Sequence, residues 1–299
     1  MRTIIKVSGI VLTALMTLLI SAAWHFSTVL MHPGPYTCPV DIYIYCGTPD
    51  EIGLPYEEIQ FHTEDGVLIK GWYIERTPGA PAVLFVPGRG VDRHEALRYA
   101  PSMFDSGFNL LLIDLRNTGA SDGSITTMGF YEQLDVRAAV DYLVNERAVS
   151  SVGVFAFSMG ASTSILAMAE DSRISAAVLD SPYSDMRKIV VERGKQEYHL
   201  PEYPLLPIVF KFYEWRTGAD PEKTSPIQVI DTIGPRPIFL VHGTADTSVG
   251  VHHSDALYVR AAEPRRYWRI PDGKHTSAWN HDRVKAEREF PAFFRRYLK

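Results

Sequence analysis

Val152-Gly153-Val154-Phe155-Ala156-Phe157-Ser158-Met159-Gly160-Ala161-Ser162-Thr163-Ser164-Ile165-Leu166-Ala167 is the stretch on which the fold of this 299-residue chain turns. Val152 to Phe157 is a short run without polar residues, as expected of a strand buried on both faces. Gly160 to Ala169 is small and apolar and continues as a helix over Met159 to Glu170. Between them stands one residue, Ser158. A strand, a one-residue turn and a helix put that hydroxyl at the C-terminal edge of a sheet with a helix N-terminus beneath it. The backbone of such a residue is strained, so the positions two before and two after it must be small. Gly160 satisfies this and Ala156 adds one methyl group. The plainer alternative is that Ser158 only caps a helix.

The one literal G-x-S-x-G match, Gly119-Ala120-Ser121-Asp122-Gly123, lacks this context. Ser121 follows its strand by seven residues and no helix begins at once, so two glycines and an Asp read there as loop chemistry.

A nucleophilic Ser needs a base, and the base an orienting acid. Pro237-Ile-Phe-Leu-Val-His242 is strand-like and ends in Gly243-Thr244-Ala245-Asp246, which puts Asp246 in a loop at a strand's C-terminal end. Tyr267-Trp-Arg-Ile270 is the last strand and leads through Pro271-Asp-Gly-Lys to His275. Each residue alone reads equally well as a turn Asp or a loop His, but all three at strand ends in the order Ser, Asp, His form a triad pattern. His242 lies within a strand end, and His252 and His253 open a helix. His281, expected to begin the terminal helix, is the rival to His275. Two backbone N–H groups must hold a developing oxyanion. Met159 supplies one, and Val86-Pro87-Gly88-Arg89-Gly90 offers the second at Arg89, unless that loop is an ordinary glycine-rich turn.

Outward from the elbow, strands and helices alternate. Tyr56 to Thr63 and Val67 to Glu75 form a hairpin around Glu64-Asp65-Gly66. Ala82 to Val86, Asn109 to Asp114, Ala176 to Asp180 and Ile238 to His242 read as strands. His94 to Asp105, Thr127 to Glu146 and Asp282 to Tyr297 read as helices. The fold class is α/β, a mostly parallel central sheet flanked by helices. Residues 183–234, rich in Tyr, Phe, Trp and Pro, break the rhythm and read as a small helical cap insertion.

The N-terminus differs. Residues 1–6 carry Arg2 and Lys6, and residues 7–31 are apolar all round, long enough to cross a bilayer and without the polar stripe of a core helix. The small trio Ser21-Ala22-Ala23 also suits a cleavable signal peptide, but apolar character continues to Met31 and favours an uncleaved signal anchor. Either way the positive end stays cytoplasmic and the rest is expected on the extracytoplasmic side, secreted if the N-terminus is cleaved. Residues 32–55, with a Pro-, Gly-, Cys- and Tyr-rich run from Thr37 to Pro55, read as a linker packed on the edge of a 56–299 domain. Cys38 and Cys46, the only cysteines, are placed to form a disulfide in an oxidising compartment, or stand as two thiols. A formal charge of −5 without basic runs argues against nucleic acid. No metal or cofactor is suggested.

Taken with their surroundings, five segments resemble the α/β-hydrolase superfamily, particularly its short-capped, membrane-anchored serine hydrolases of the acylaminoacyl-peptidase-like and Bem46-like types. They are Val86 to Gly90, Asp114 to Gly123, Phe155 to Gly160, Leu240 to Asp246 and Gly273 to His275, within residues 56–299. The family usually has His-Gly at Pro87-Gly88, Arg-Gly-His-Gly at Arg116 to Gly119, and Gly at Ala156. The resemblance implies the α/β-hydrolase fold and an acyl-enzyme mechanism at Ser158, Asp246 and His275 without a cofactor. The chain lacks a propeller domain, so a small-molecule carboxylic ester or thioester with an apolar group is expected over a peptide. An aminopeptidase-like alternative would need an acidic residue in the pocket, Glu192 or Glu197, and a non-catalytic binding protein is a further one.

Overall fold

The computed structural model describes residues 2–34 and 38–299. An eight-stranded sheet runs β1 (Glu57–His62), β2 (Leu68–Ile74), β3 (Ala82–Val86), β4 (Asn109–Ile113), β5 (Val152–Phe157), β6 (Ile174–Asp180), β7 (Ile238–Gly243) and β8 (Arg265–Ile270). In space the order is β1-β2-β4-β3-β5-β6-β7-β8. The β1–β2 and β2–β4 pairs are antiparallel, and every pair from β4 onward is parallel. Among the described residues ten α-helices accompany it: α1 (Arg2–Met31), α2 (Val40–Tyr43), α3 (Ala100–Asp105), α4 (Glu132–Asp141), α5 (Ser158–Glu170), α6 (Met186–Tyr198), α7 (Leu205–Thr217), α8 (His252–Arg260), α9 (Ala278–His281) and α10 (Arg283–Tyr297). This is the α/β-hydrolase fold.

β5 shows why the sheet is covered on both sides. Its side chains alternate faces, so Val154 and Ala156 enter one apolar layer with α4 and α5. Phe155 and Phe157 enter the other, where they stack on each other, on Tyr99 and against Phe290 of α10. Gly153 makes room on that side: a Cβ there would lie 2.6 Å from the Phe294 ring.

Three expected elements differ. The helix expected over His94 to Asp105 is two pieces, a 3-10 turn at Arg93–Ala96 and α3. Pro101 has no N–H to continue a helix and is accepted only in a first turn. The helix expected from Thr127 starts at Glu132, because Met128 and Gly129 adopt positive φ (51° and 98°). There the buried Glu132 carboxylate gathers the N–H groups of Thr127 and Gly129 at 2.6 and 2.7 Å. His281 ends α9 rather than opening the terminal helix, which Asp282 caps by accepting from Lys285 N–H.

Residues 35–37 of the linker lie outside the described residues. The rest of the 32–55 segment holds α2 and a 3-10 turn at Pro49–Ile52, and it is tied by a Cys38–Cys46 disulfide with a Cα separation of 5.8 Å. Residues 183–234 carry α6, α7 and three 3-10 turns between β6 and β7. α1 packs against α7: Ala23, Ser27 and Met31 are buried, whereas Val7, Ile10, Leu12, Leu15 and Leu18 are exposed.

Candidate active site

Ser158 opens α5 directly after β5 with φ of +50°. A non-glycine residue pays for left-handed backbone, and the surrounding packing holds it there. A Cβ on Gly160 would lie 2.2 Å from the Pro87 carbonyl oxygen and 2.6 Å from that of Val86, so no larger residue fits. Ala156 is fully buried in β5 between Val86 and Leu179, where its methyl group is absorbed by the core. Ser121 is a structural staple. Its hydroxyl donates to the Asp114 carbonyl and accepts from the Lys70 N–H, both at 2.8 Å, tying β2 to the loop after β4.

Asp246 and His275, 29 residues apart in sequence, meet: His275 Nδ1 lies 2.6 Å from Asp246 Oδ2. A carboxylate only accepts, so Nδ1 carries the proton and Nε2 is left as the basic nitrogen. The other Asp246 oxygen accepts the N–H groups of Ser248 and Val249 at 2.7 and 2.9 Å. Burial works to neutralise Asp246, but hydrogen bonds from His242 and His275 outweigh it and hold the carboxyl far below its ordinary range. Burial likewise works against the His275 cation, yet Asp246, helped by Asp180 and Glu95, raises the imidazole above its usual value. Ser158 and His275 line one cavity of about 330 Å³. Among the described residues no hydrogen bond joins their side chains, a contact that tightens in many enzymes only with substrate bound. His281 is exposed and lines no part of this cavity.

Met159 N–H belongs to the first turn of α5, whose amides have no partner inside the helix. On the facing loop, the Gly88 N–H is taken by the buried Glu95 carboxylate at 2.8 Å, and Arg89 follows. The Arg89 guanidinium donates to the carbonyls of Val29 and Leu30, at 2.6 and 3.1 Å. These belong to the last turn of α1, where unpaired carbonyls favour a cation.

Sequence reasoning missed the supports beneath these groups. His242 Nε2 donates to the Val249 carbonyl at 2.8 Å and lies 3.2 Å from Asp246 Oδ2. The buried Arg98 donates to the Thr276 carbonyl at 3.0 Å. Thr276 N–H donates to Ser181 Oγ, which donates to Asp180. Burial raises that carboxyl to about 6. The residue after His275 is thus held at both its N–H and its C=O. His242 had a signal in its place at the end of a strand four residues before Asp246. Arg98 and Ser181, 178 and 95 residues from Thr276, had none.

Of the two acidic residues in α6, Glu197 lines the cavity but is paired with Arg193. Glu192 does not line it, and instead bridges His252 and His253 at 3.0 and 3.1 Å. This Glu192-His252-His253 cluster is close enough to hold a metal ion. Its hydrogen bonds argue otherwise. His253 Nδ1 accepts the Ser184 N–H, so Nε2 carries the proton it gives to Glu192 and offers no lone pair. Burial lowers the His253 pKa to about 4, keeping that ring neutral.

Known proteins share this architecture. The family model described as alpha/beta hydrolase fold matches residues 81–218. An uncharacterised Bacillus subtilis protein, YqkD, is 29% identical over 221 residues, covering 73% of this chain and 72% of its own. The α/β hydrolase domain-containing protein WAV2 of Arabidopsis thaliana is 25% identical, over 78% of this chain and 76% of its own. Among solved structures, the Pyrococcus furiosus esterase Pf2001 superposes with a TM-score of 0.73 at 26% identity, covering 90% of this chain and 99% of that one. Together with the topology, these likenesses show that the chain has the α/β-hydrolase fold.

Proposed function

We propose that this chain is a serine hydrolase of the short-capped, membrane-anchored, Bem46-like kind that cleaves a carboxylic ester or thioester through an acyl-enzyme. The observation that carries the reading is Ser158, held at positive φ on a strand–helix junction. It faces the cavity that receives His275, whose Nδ1 proton is bound by Asp246. In this reading Nε2 of His275 takes the Ser158 proton as Oγ attacks the acyl carbon, and returns it to the leaving alcohol or thiol. Asp246 holds the tautomer and stabilises the imidazolium. The N–H groups of Met159 and Arg89 receive the charge that develops on the carbonyl oxygen. Water then repeats the sequence on the acyl-enzyme, and no cofactor enters.

Ester or thioester is favoured over peptide because the cavity walls are mainly apolar, including Ile189, Val190, Leu200 and Leu206. Glu197, the acid available to hold a substrate amine, already pairs with Arg193. The apolar α1 and the Cys38–Cys46 bridge support a domain anchored on the extracytoplasmic side. A fluorophosphonate probe tests the mechanism: wild type labels and Ser158→Ala does not. An unlabelled wild type, or equal labelling of Ser158→Ala, would return the chain to the non-catalytic reading. Turnover of aryl esters against amino-acyl anilides separates esterase from aminopeptidase.

A further inference from the structure

α1 is more than a tether. Its exposed apolar half, Val7 to Ser21, spans about 22 Å at about 1.5 Å per residue, most of a bilayer's hydrocarbon core of about 30 Å, and Lys6 before it is long enough to reach the headgroups. About three further turns lie on the hydrolase domain. There Ala22, Phe26 and Leu30 pack against the core layer that includes α7, joined by Leu19 at the end of the apolar half. Arg216 of α7 stacks over the Trp24 ring at 4.0 Å and donates to Ser27 Oγ at 2.6 Å and Thr28 Oγ1 at 2.7 Å. Thr126 N–H closes on the Met31 carbonyl at 2.8 Å. Arg89, in the oxyanion loop, completes the attachment through Val29 and Leu30.

Phe26, Val29 and Leu30 are also walls of the Ser158 cavity, facing Tyr198, Leu200, Leu206 and Val209 of the cap. Around this seam the large exposed side chains are aromatic: Trp24, Tyr198 and Trp215. Trp24 contacts Trp215, and Phe26 contacts Tyr198. Tyr and Trp settle where a bilayer meets water, and these ones cluster where α1 leaves its exposed apolar half. The cavity is thus walled partly by the same helix whose preceding turns are exposed and apolar.

We propose that α1 is a permanent wall of the acyl site, and that the substrate is an acyl ester of a bilayer lipid. Its chain passes between α1 and the cap and lies against Phe26, Val29 and Leu30, with the ester at Ser158. This rests on the serine-hydrolase reading and adds to it the substrate class and the retention of α1. Cleavage at the Ser21-Ala22-Ala23 site would leave Phe26, Val29 and Leu30 in the chain but remove the exposed apolar half of α1 that seats the cavity at the bilayer.

The test uses the full chain in phosphatidylcholine vesicles and two soluble probes, p-nitrophenyl octanoate and p-nitrophenyl acetate. Val29→Trp fills the wall and is expected to lower the octanoate-to-acetate ratio of kcat/KM at least tenfold. Leu12→Trp, on the exposed half of α1, is expected to leave it unchanged. Phe26→Ala widens the wall and is expected to shift preference toward longer chains, which keeps the question open to decision should Val29→Trp not fold. The intact mass of membrane-purified protein is expected to include α1, and acyl lipid in the vesicles to be hydrolysed. Wild type that labels at Ser158 with ratios unmoved by either wall variant, a mass showing cleavage near Ala23, or vesicle lipid left intact overturns this proposal alone. Failure of wild type to label overturns the catalytic reading with it.

Discussion

Asp246→Asn changes one atom in a site where every neighbour has a defined hydrogen-bonding role. Asp246 Oδ1 faces two backbone donors, at 2.7 and 2.9 Å, and Oδ2 faces His275 Nδ1 at 2.6 Å and His242 Nε2 at 3.2 Å. An amide has one acceptor and one donor end. Turned toward Ser248 and Val249, its NH2 would oppose two N–H groups that cannot reverse. Turned toward His275, it opposes a ring that can: the imidazole moves its proton to Nε2 and accepts at Nδ1. His242 cannot relieve the strain in the same way, because its Nε2 proton is committed to the Val249 carbonyl. The preferred arrangement therefore presents Ser158 with a protonated Nε2, which is no base. On the order of 10⁴ in kcat is expected to be lost, about 5.4 kcal/mol at about 1.36 kcal/mol per decade. The pH profile supplies an independent readout. Neutral His275 is the active form and Asp246 raises its pKa, so wild-type kcat/KM falls with decreasing pH through a midpoint above the ordinary value of about 6.5. Without the carboxylate, burial is left opposing the cation and the midpoint moves down. Ester hydrolysis followed from pH 4 to 9 measures both. A variant within tenfold of wild type, with its midpoint unmoved, would refute the assignment of Asp246.

Gly160→Ala forces a methyl group to within 2.2 Å of the Pro87 carbonyl oxygen. It should cost about 1–3 kcal/mol by overpacking and displace the loop that carries Arg89, seen as a lower thermal midpoint together with a lower kcat. Ser121→Ala strands the Lys70 N–H and should cost about 1–3 kcal/mol in chemical denaturation, while Ser158 still labels with fluorophosphonate; loss of labelling in a folded protein would restore Ser121 as a rival. The Cys38→Ser/Cys46→Ser pair removes a loop closure of eight residues, worth at most about 2.5 kcal/mol on a chain-entropy estimate. Its thermal midpoint should equal that of reduced wild type.

Much of the candidate site's layout was legible because it is local. Val152 to Gly160 encodes strand, turn and helix in consecutive residues, and the nearest alternative, Ser121, fails on the same criterion. Asp246 and His275 could be placed because each follows an apolar run that reads as a strand, and parallel strands deliver their following loops to one edge of the sheet. Helix boundaries were less legible where a single residue redirects the backbone, as Pro101 does in α3 and Met128 does before α4. The aromatic, Pro-rich stretch over 183–234 read as a cap, but its composition gave no sign that α1 would lie against it.

By itself the sequence determined that Ser158 stands on an elbow, that an acid and a histidine follow in order, and that α1 is apolar enough for a bilayer. Periodicity and turn chemistry carry such information within some twenty residues. Tertiary structure alone decided the partnerships: Asp246 with His275 and His242, Glu95 with the Gly88 amide, Arg98 with the Thr276 carbonyl, and Glu192 with His252 and His253. It also carried Phe26, Val29 and Leu30 into the wall of the cavity and the Arg89 guanidinium onto the end of α1. Those contacts join residues up to 178 positions apart. Which of them form depends on how whole faces pack, and a pattern that specifies only which face is apolar does not say what will cover it.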